Sequence, residues 1–307
     1  MTLSLATSPG EVALQAAILA IFLTASAAIW TWVLARWQRA EPIIPLARRR
    51  PVPWLGSEVA FIFLVGLLLP LMAKLAVDAW MGPAAGQRAD EQKPQLAHPA
   101  EQLLRAGSLG EIAVTVAMAV IVAPLIEEFL FRVLLQGWLE AVWSRQRKKR
   151  PELRLPPASW LPIVLPAALF ALVHLRSGKA PLSPQYLTGL FLGQMAADLL
   201  LLALAIVLLR FAAKATAADL GWKLEKLRAD AQLGLLALVA AMPPVLAIQI
   251  ALTTLVKLTG INYALDPVPL FFLALVLGVL YHRTHRIVPS LVLHIAFNAA
   301  AIVLCFA

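Results

Sequence analysis

The stretch Ala123–Glu140, APLIEEFLFRVLLQGWLE, places two adjacent carboxylates and a guanidinium inside an apolar run. An ionised side chain near the centre of a bilayer costs about 2.5–3.5 kcal/mol to insert, so such residues are candidates for function. Glu128 and Arg132 are four residues apart and can pair on one helix face. Glu127 is rotated by about 100° from that face and is left for another task. A salt bridge that only ties helices together is the structural alternative, and it leaves the second carboxylate unexplained.

The composition of the whole chain is that of a membrane protein. Of its 307 residues, 61% are hydrophobic and 14% are charged, and the mean hydropathy is +0.81. Soluble domains are about 45–50% apolar and about 25% charged, which argues against a soluble enzyme. Disordered chains are poor in apolar residues, so that class is excluded. The single cysteine, Cys305, excludes an internal disulfide and a thiolate metal cluster.

The positive charge of the chain indicates membrane orientation and not nucleic acid binding. The net charge is +9 and the pI is about 10.1, but lysine and arginine concentrate in alternate loops between apolar runs. Basic loops stay on the cytoplasmic side, which predicts that both termini lie outside. A crossing needs about 20 apolar residues. We therefore predict an all-α, polytopic helical bundle with about eight transmembrane helices, at 12–35, 55–79, 109–128, 159–176, 186–210, 231–258, 268–282 and 288–306.

Further polar residues lie inside the predicted spans. His174 ends the fourth span, and His294 and Asn298 share a face of the eighth at a spacing of four residues. Histidine can hold a water or a metal ion, and an amide can donate to an oxyanion. Each of these residues can also be a packing residue that hydrogen-bonds between helices. Asp198, in the fifth span, lines a cavity or caps a neighbouring helix and ranks below the others.

The histidines do not form a known local metal motif. HExxH is absent, so metal ligands have to come from different helices. His282 and His285 lie beside arginines at the inner boundary, and we interpret them as interfacial. His98 lies in a polar linker and is expected to be solvated.

Three motifs on these spans resemble one family. Glu127-Glu128-Phe129-Leu130-Phe131-Arg132 resembles the EExxxR motif of type II CAAX prenyl endopeptidases and of their bacterial relatives, the CPBP intramembrane proteases, which include the Abi and lysostaphin-resistance-like proteins. The segments 170–174 and 294–298 resemble the FxxxH and HxxxN motifs of the same family.

The resemblance implies an intramembrane endopeptidase in which Glu127 activates the attacking water and Glu128 and Arg132 form a supporting ion pair. His174 and His294 would hold that water or, together with Glu127, a Zn²⁺ ion. Asn298 would stabilise the oxyanion. The implied partners are the lipid bilayer and a peptide substrate that is prenylated or otherwise membrane-anchored, in a bacterial cytoplasmic membrane.

The same resemblance divides the chain into two regions. Residues 1–108 form a two-span region with a polar linker, and residues 109–306 form the CAAX-protease-like domain. The 120 residues between the two motif histidines predict an insertion at about 182–262, in which residues 214–230 form an amphipathic surface helix or a solvated linker. On the predicted topology, His174 lies near the outer end of its span, whereas His294 lies about 9 Å from the inner start of its own span.

Two other classes of function stay open. A non-catalytic membrane scaffold or a bacteriocin-immunity-type protein would keep the same polar network for packing. A transporter would use Glu127 and Asp198 as proton carriers, but the sequence contains no inverted repeat that supports this reading.

Overall fold

The computed structural model describes residues 9–47, 51–82, 103–104, 107–149, 160–175, 183–259 and 267–306. Within these ranges the protein is helical and has no strand, which confirms the all-α bundle. Most of the predicted polar linker, including His98, lies outside the described residues. The long helices are α1 Pro9–Gln38, α2 Gly56–Met81, α3 Leu109–Lys149, α4 Leu161–Val173, α5 Pro184–Phe211, α6 Leu227–Thr259, α7 Pro267–Thr284 and α8 Ile287–Phe306.

Six of these eight helices are long and apolar enough to cross a membrane; α4 and α8 are the shorter apolar ones. The 13 residues of α4 extend for about 20 Å, whereas the hydrocarbon core of a bilayer is about 30 Å thick. The prediction of about eight transmembrane helices therefore holds for the number of apolar helices. Only six of the described helices, however, are long enough to cross the membrane completely.

The helix α3 is longer than the predicted third span and contains two π-helical segments. It runs for 41 residues from Leu109, which is about 60 Å, and so cannot cross a bilayer upright. Its start is capped by Ser108, whose backbone N–H and hydroxyl both bond to Glu111. The π-helical segments, at 117–122 and 129–136, flank the short α-helical piece that ends at Glu128. Such wide turns occur mostly at functional sites.

The hydrophobic core surrounds the second half of α3. Phe131 and Leu134 are buried there against Trp54, Phe170 and other apolar side chains. The indole N–H of Trp54 donates to the carbonyl oxygen of Leu134 at 3.1 Å, which links the segment before α2 to the centre of α3. The most extensive helix pairs are α2 with α5, α4 with α7, and α6 with α8.

The segment that precedes α6 does not form the predicted amphipathic helix. Residues 217–221 form turns, and only Leu224–Lys226 form a short 3₁₀ turn before α6 begins. Trp222, which is partly buried, packs against the core. The carbonyl of Gly221 accepts a hydrogen bond from the backbone N–H of Ile287 at 3.2 Å. The segment is thus docked on the first residue of α8.

The helix α6 contains two consecutive prolines, and α1 compensates for one of them. Pro244 has no N–H to donate to the carbonyl of Ala240, four residues earlier in α6. The indole N–H of Trp30 in α1 donates to that carbonyl at 3.0 Å. Neighbouring helices commonly satisfy backbone groups that proline frees in membrane helices. Trp30 therefore satisfies a carbonyl that would otherwise be without a donor in an apolar environment.

Candidate active site

Two histidines, one that follows α4 and one in α8, meet at Glu127 on α3. Nε2 of His174, which follows the last residue of α4, lies 3.7 Å from Oε1 of Glu127. Nε2 of His294, from the middle of α8, lies 3.5 Å from the other carboxylate oxygen. Glu127 and His174 are partly exposed, whereas His294 is buried. The fold therefore brings together two motif histidines that are 120 residues apart in the sequence.

The second ring nitrogen of each histidine determines which tautomer faces Glu127. Nδ1 of His174 lies 2.7 Å from the carbonyl oxygen of Phe170. A carbonyl can only accept, so this Nδ1 carries the proton. Nδ1 of His294 lies 3.1 Å from the carboxylate of Glu128 and donates to it. In the neutral rings, both Nε2 atoms then present lone pairs toward Glu127.

The predicted ion pair of Glu128 and Arg132 is present and fully buried. Nε of Arg132 lies 3.6 Å from Oε2 of Glu128, and both side chains have no exposed surface. The guanidinium carbon lies 5.7 Å from the centre of the Phe170 ring, a cation–π distance. The negative charge of Glu128 thus contacts Arg132 on one side and His294 on the other.

The short length of α4 explains why His174 reaches this site. A full span over residues 159–176, as hydropathy predicts, would place His174 and His294 at different depths. Because α4 ends at Val173 after 13 residues, His174 continues directly into the cluster. Phe170, one helical turn earlier, packs its ring against both His174 and His294. The conflict between the depths of the two histidines therefore comes from the boundaries predicted for the fourth span, because α4 is too short to span a bilayer.

Asn298 makes its contact with the backbone of α3. Its side-chain N–H donates to the carbonyl oxygen of Ala119 at 2.8 Å. Ala119 lies in the first π-helical segment, two turns before Glu127. Asn298 thus lies on the same face of α8 as His294, which their spacing predicted, and this face packs on α3. One of its two amide protons is engaged by the backbone.

Asp198 lies in the same part of the bundle as Glu127, although from the sequence it was a weaker candidate than the other polar residues. It is buried in α5, and Gln194 donates to its Oδ1 at 2.8 Å. The helix α5 packs against α3, which carries Glu127. Gln194 was not predicted to be a partner, but its spacing of four residues from Asp198 places the two side chains on one helix face.

A second histidine cluster lies away from Glu127. Nδ1 of His282 is 3.0 Å from Oε1 of Glu140, and Nδ1 of His285 is 3.4 Å from its other oxygen. Gln136 also contacts Glu140 and donates to the carbonyl of Gly278. The two histidines therefore pair with the C-terminal part of α3. Glu140 was missed as their partner because it is more than 140 residues away in the sequence.

Whether the side chains at Glu127 could bind a zinc ion depends on their donor atoms and on how they are arranged. The imidazoles of His174 and His294 and the carboxylate of Glu127 are donors that zinc uses. Within the described ranges, however, no group of three or more His, Cys, Asp or Glu side chains is arranged so that it could hold a metal ion. The zinc site stays a prediction, and we assign no step of a reaction to a metal ion.

The family model for type II CAAX prenyl endopeptidase Rce1-like proteins matches residues 109–218 and 221–300, which is more than half of the chain. The chain belongs to this family. The matched ranges include all three motifs and the residues that meet at Glu127. No curated protein and no solved structure matches the chain. As a type II CAAX prenyl endopeptidase family member with six helices of membrane-spanning length, the protein is an integral membrane protein of a protease family.

Proposed function

We propose that the protein is an intramembrane endopeptidase in which Glu127 activates a water molecule. The observation that carries this proposal is the position of the Glu127 carboxylate between two imidazole Nε2 atoms, at 3.7 Å and 3.5 Å. These separations are too long for direct hydrogen bonds. All three groups are acceptors when Glu127 is ionised and the histidines are neutral. A water molecule between them can donate one proton to Glu127 and the other to the Nε2 of either histidine.

The proposed reaction needs no other co-reactant. Glu127 takes one proton from the water, and the oxygen of the water forms a bond to the carbonyl carbon of the peptide. The resulting oxyanion collapses, the C–N bond breaks, and the leaving amine takes the proton back from Glu127. His174 and His294 hold the water, and we assign the second amide N–H of Asn298 to the oxyanion.

The adjacent ion pair keeps His294 in the required tautomer. Glu128 accepts from Nδ1 of His294, which directs the lone pair of Nε2 to the water site. Arg132 balances the charge of Glu128 in the interior. The carbonyl oxygen of Phe170 accepts from Nδ1 of His174 and fixes the tautomer of that ring in the same way.

The proposed substrate is a membrane-anchored peptide, prenylated near the scissile bond, in a bacterial cytoplasmic membrane. Family membership supports the substrate class. An apolar groove of about 600 Å³ between α2 and α5 also supports it, since the groove is lined by apolar side chains, among them Trp80 and Ala197, the neighbour of Asp198. A prenylated peptide should therefore be cleaved with a lower KM than the same peptide without the lipid.

The proposal is tested with purified protein in nanodiscs and a fluorescence-quenched, prenylated peptide. Glu127→Gln should lower kcat by at least about 100-fold, the usual contribution of a positioned general base. Glu225→Gln, an exposed change of the same type, should cleave as wild type. Wild-type turnover that persists in Glu127→Gln would contradict the assignment.

A parallel measurement with a chelator addresses the predicted zinc ion. Retained turnover after removal of metal would support water activation by Glu127 alone, and lost turnover restored by Zn²⁺ would establish the metal. A folded wild type that cleaves no prenylated or unprenylated peptide would favour the scaffold or immunity-type alternative.

A further inference from the structure

The hydrogen bonding of α3 leaves one carbonyl without a helical donor close to Glu127. In the π-helical segment, the backbone N–H of Ala123 donates to the carbonyl of Met118, five residues earlier. The next carbonyl is that of Ala119. It would accept from Ala123 in an α-helix and from Pro124 in a π-helix. Ala123 is engaged by Met118, and Pro124 has no N–H.

Asn298 supplies the missing donor. Its side-chain N–H reaches the carbonyl of Ala119 at 2.8 Å. A backbone carbonyl without a donor is costly in an apolar environment, because no water replaces the helical bond. Asn298, in the HxxxN motif, therefore donates to a carbonyl that lacks a helical donor because of Pro124, which precedes the EExxxR motif.

The position of this contact relates it to the reacting group. Pro124 lies three residues before Glu127, so the turn that it interrupts sets the direction in which the Glu127 carboxylate projects. The helix α8 that carries Asn298 also carries His294, one turn earlier, whose ring contacts Glu127 and Glu128. Two contacts from one face of α8 thus fix α3 on both sides of Pro124.

We propose that Asn298 is a positioning residue that satisfies the Ala119 carbonyl left open by Pro124 and thereby sets the orientation of Glu127. This inference rests on the proposed function for its catalytic consequence. It assigns to the amide of Asn298 a role that does not require contact with substrate. The hydrogen bond to Ala119 also fixes the direction of the second amide N–H of Asn298, the group that we assign to the oxyanion.

The test is a double-mutant cycle of Asn298→Ala and Pro124→Ala, with kcat, KM and Tm measured for the full-length protein in nanodiscs. Asn298→Ala should lower both kcat and Tm. In the double variant, alanine at position 124 restores a backbone N–H to this turn. We expect it to recover up to about tenfold of the lost kcat and part of the lost Tm, since one hydrogen bond is worth up to about tenfold in an equilibrium.

Pro70→Ala, which removes a proline from the interior of α2, is the matched control and should give no recovery when combined with Asn298→Ala. Additive effects of Asn298→Ala and Pro124→Ala on both kcat and Tm would overturn the inference. An absence of turnover in the wild type would overturn the proposed function instead. In that case the cycle in Tm still decides whether Asn298 and Pro124 are coupled, because it requires no activity.

Discussion

Nδ1 of His294 lies 3.1 Å from Oε1 of Glu128, and the opposite nitrogen of the same ring faces Glu127. One imidazole thus connects two carboxylates that are adjacent in the sequence but have different surroundings. Glu128 is fully buried against Arg132, whereas the side chain of Glu127 is 22% exposed. Substitutions at the two glutamates should therefore separate effects on stability from effects on turnover.

Removing the charge of Glu128 should mainly destabilise the fold. Glu128→Gln leaves Arg132 buried without a counter-charge, and we expect a loss of about 3–5 kcal/mol in the free energy of unfolding. In the double variant Glu128→Gln, Arg132→Met, no charge remains buried at the pair, so it should be more stable than Glu128→Gln alone. Unfolding in detergent measures both. Equal stability of the two variants would show that Arg132 does not depend on Glu128.

Substitutions of the two histidines at Glu127 should lower the stability of the protein to different degrees but should both lower turnover strongly. The side chain of His174 is 27% exposed and that of His294 is 4% exposed. His174→Ala should therefore lower Tm less than His294→Ala, while each lowers kcat by about 100-fold or more. The scaffold alternative makes the opposite prediction for activity, since any turnover would survive both changes. Thermal unfolding and peptide cleavage on the same preparations distinguish the two.

Close packing of α6 on α8 should make Gly234 intolerant of a side chain. A Cβ at this position would lie 2.6 Å from the carbonyl oxygen of Pro289 and 2.8 Å from Cβ of Val292. Gly234→Ala should cost about 1–3 kcal/mol of stability through overpacking. It should also lower kcat, because it displaces the part of α8 that leads to His294. In the control Gly110→Ala, the nearest atom is 4.0 Å away, so stability should not fall.

The bond between α1 and α6 should contribute to stability without affecting catalysis. Trp30→Phe removes the donor to the Ala240 carbonyl, and we expect a loss of about 0.5–1.5 kcal/mol. Because α1 carries no residue of the site, kcat and KM should stay at wild-type values. Trp37→Phe, at a position that is 71% exposed, is the control. Restoration of stability in Trp30→Phe by Pro244→Ala would confirm that the proline creates the need for the indole.

Some of the site could be predicted from local spacing. Glu128 and Arg132 pair as their separation of four residues required, and Glu127 points to other partners. Asn298 lies on the α3-facing side of α8 for the same reason. These features follow from the geometry of a single helix, which does not depend on the remainder of the fold.

Other parts of the site could not be predicted in this way. The position of His174 depends on where α4 ends, and an apolar run does not show whether a helix crosses the bilayer or stops within it. The contact between Asn298 and Ala119 depends on π-helical hydrogen bonding before Pro124, which hydropathy does not encode. The partner of His282 and His285 was missed because Glu140 lies on another helix.

The sequence by itself determined that the protein is an all-α membrane bundle and which ionisable groups lie in its apolar segments. Both conclusions rest on the free energy of transfer into lipid, which is a sum over local composition. The resemblance implied that Glu127 acts with His174 and His294, but only the tertiary structure decided the geometry in which they meet and that Asn298 contacts the backbone of α3. Those contacts depend on the lengths and crossing of separate helices and on one irregular turn, so no local pattern could specify them.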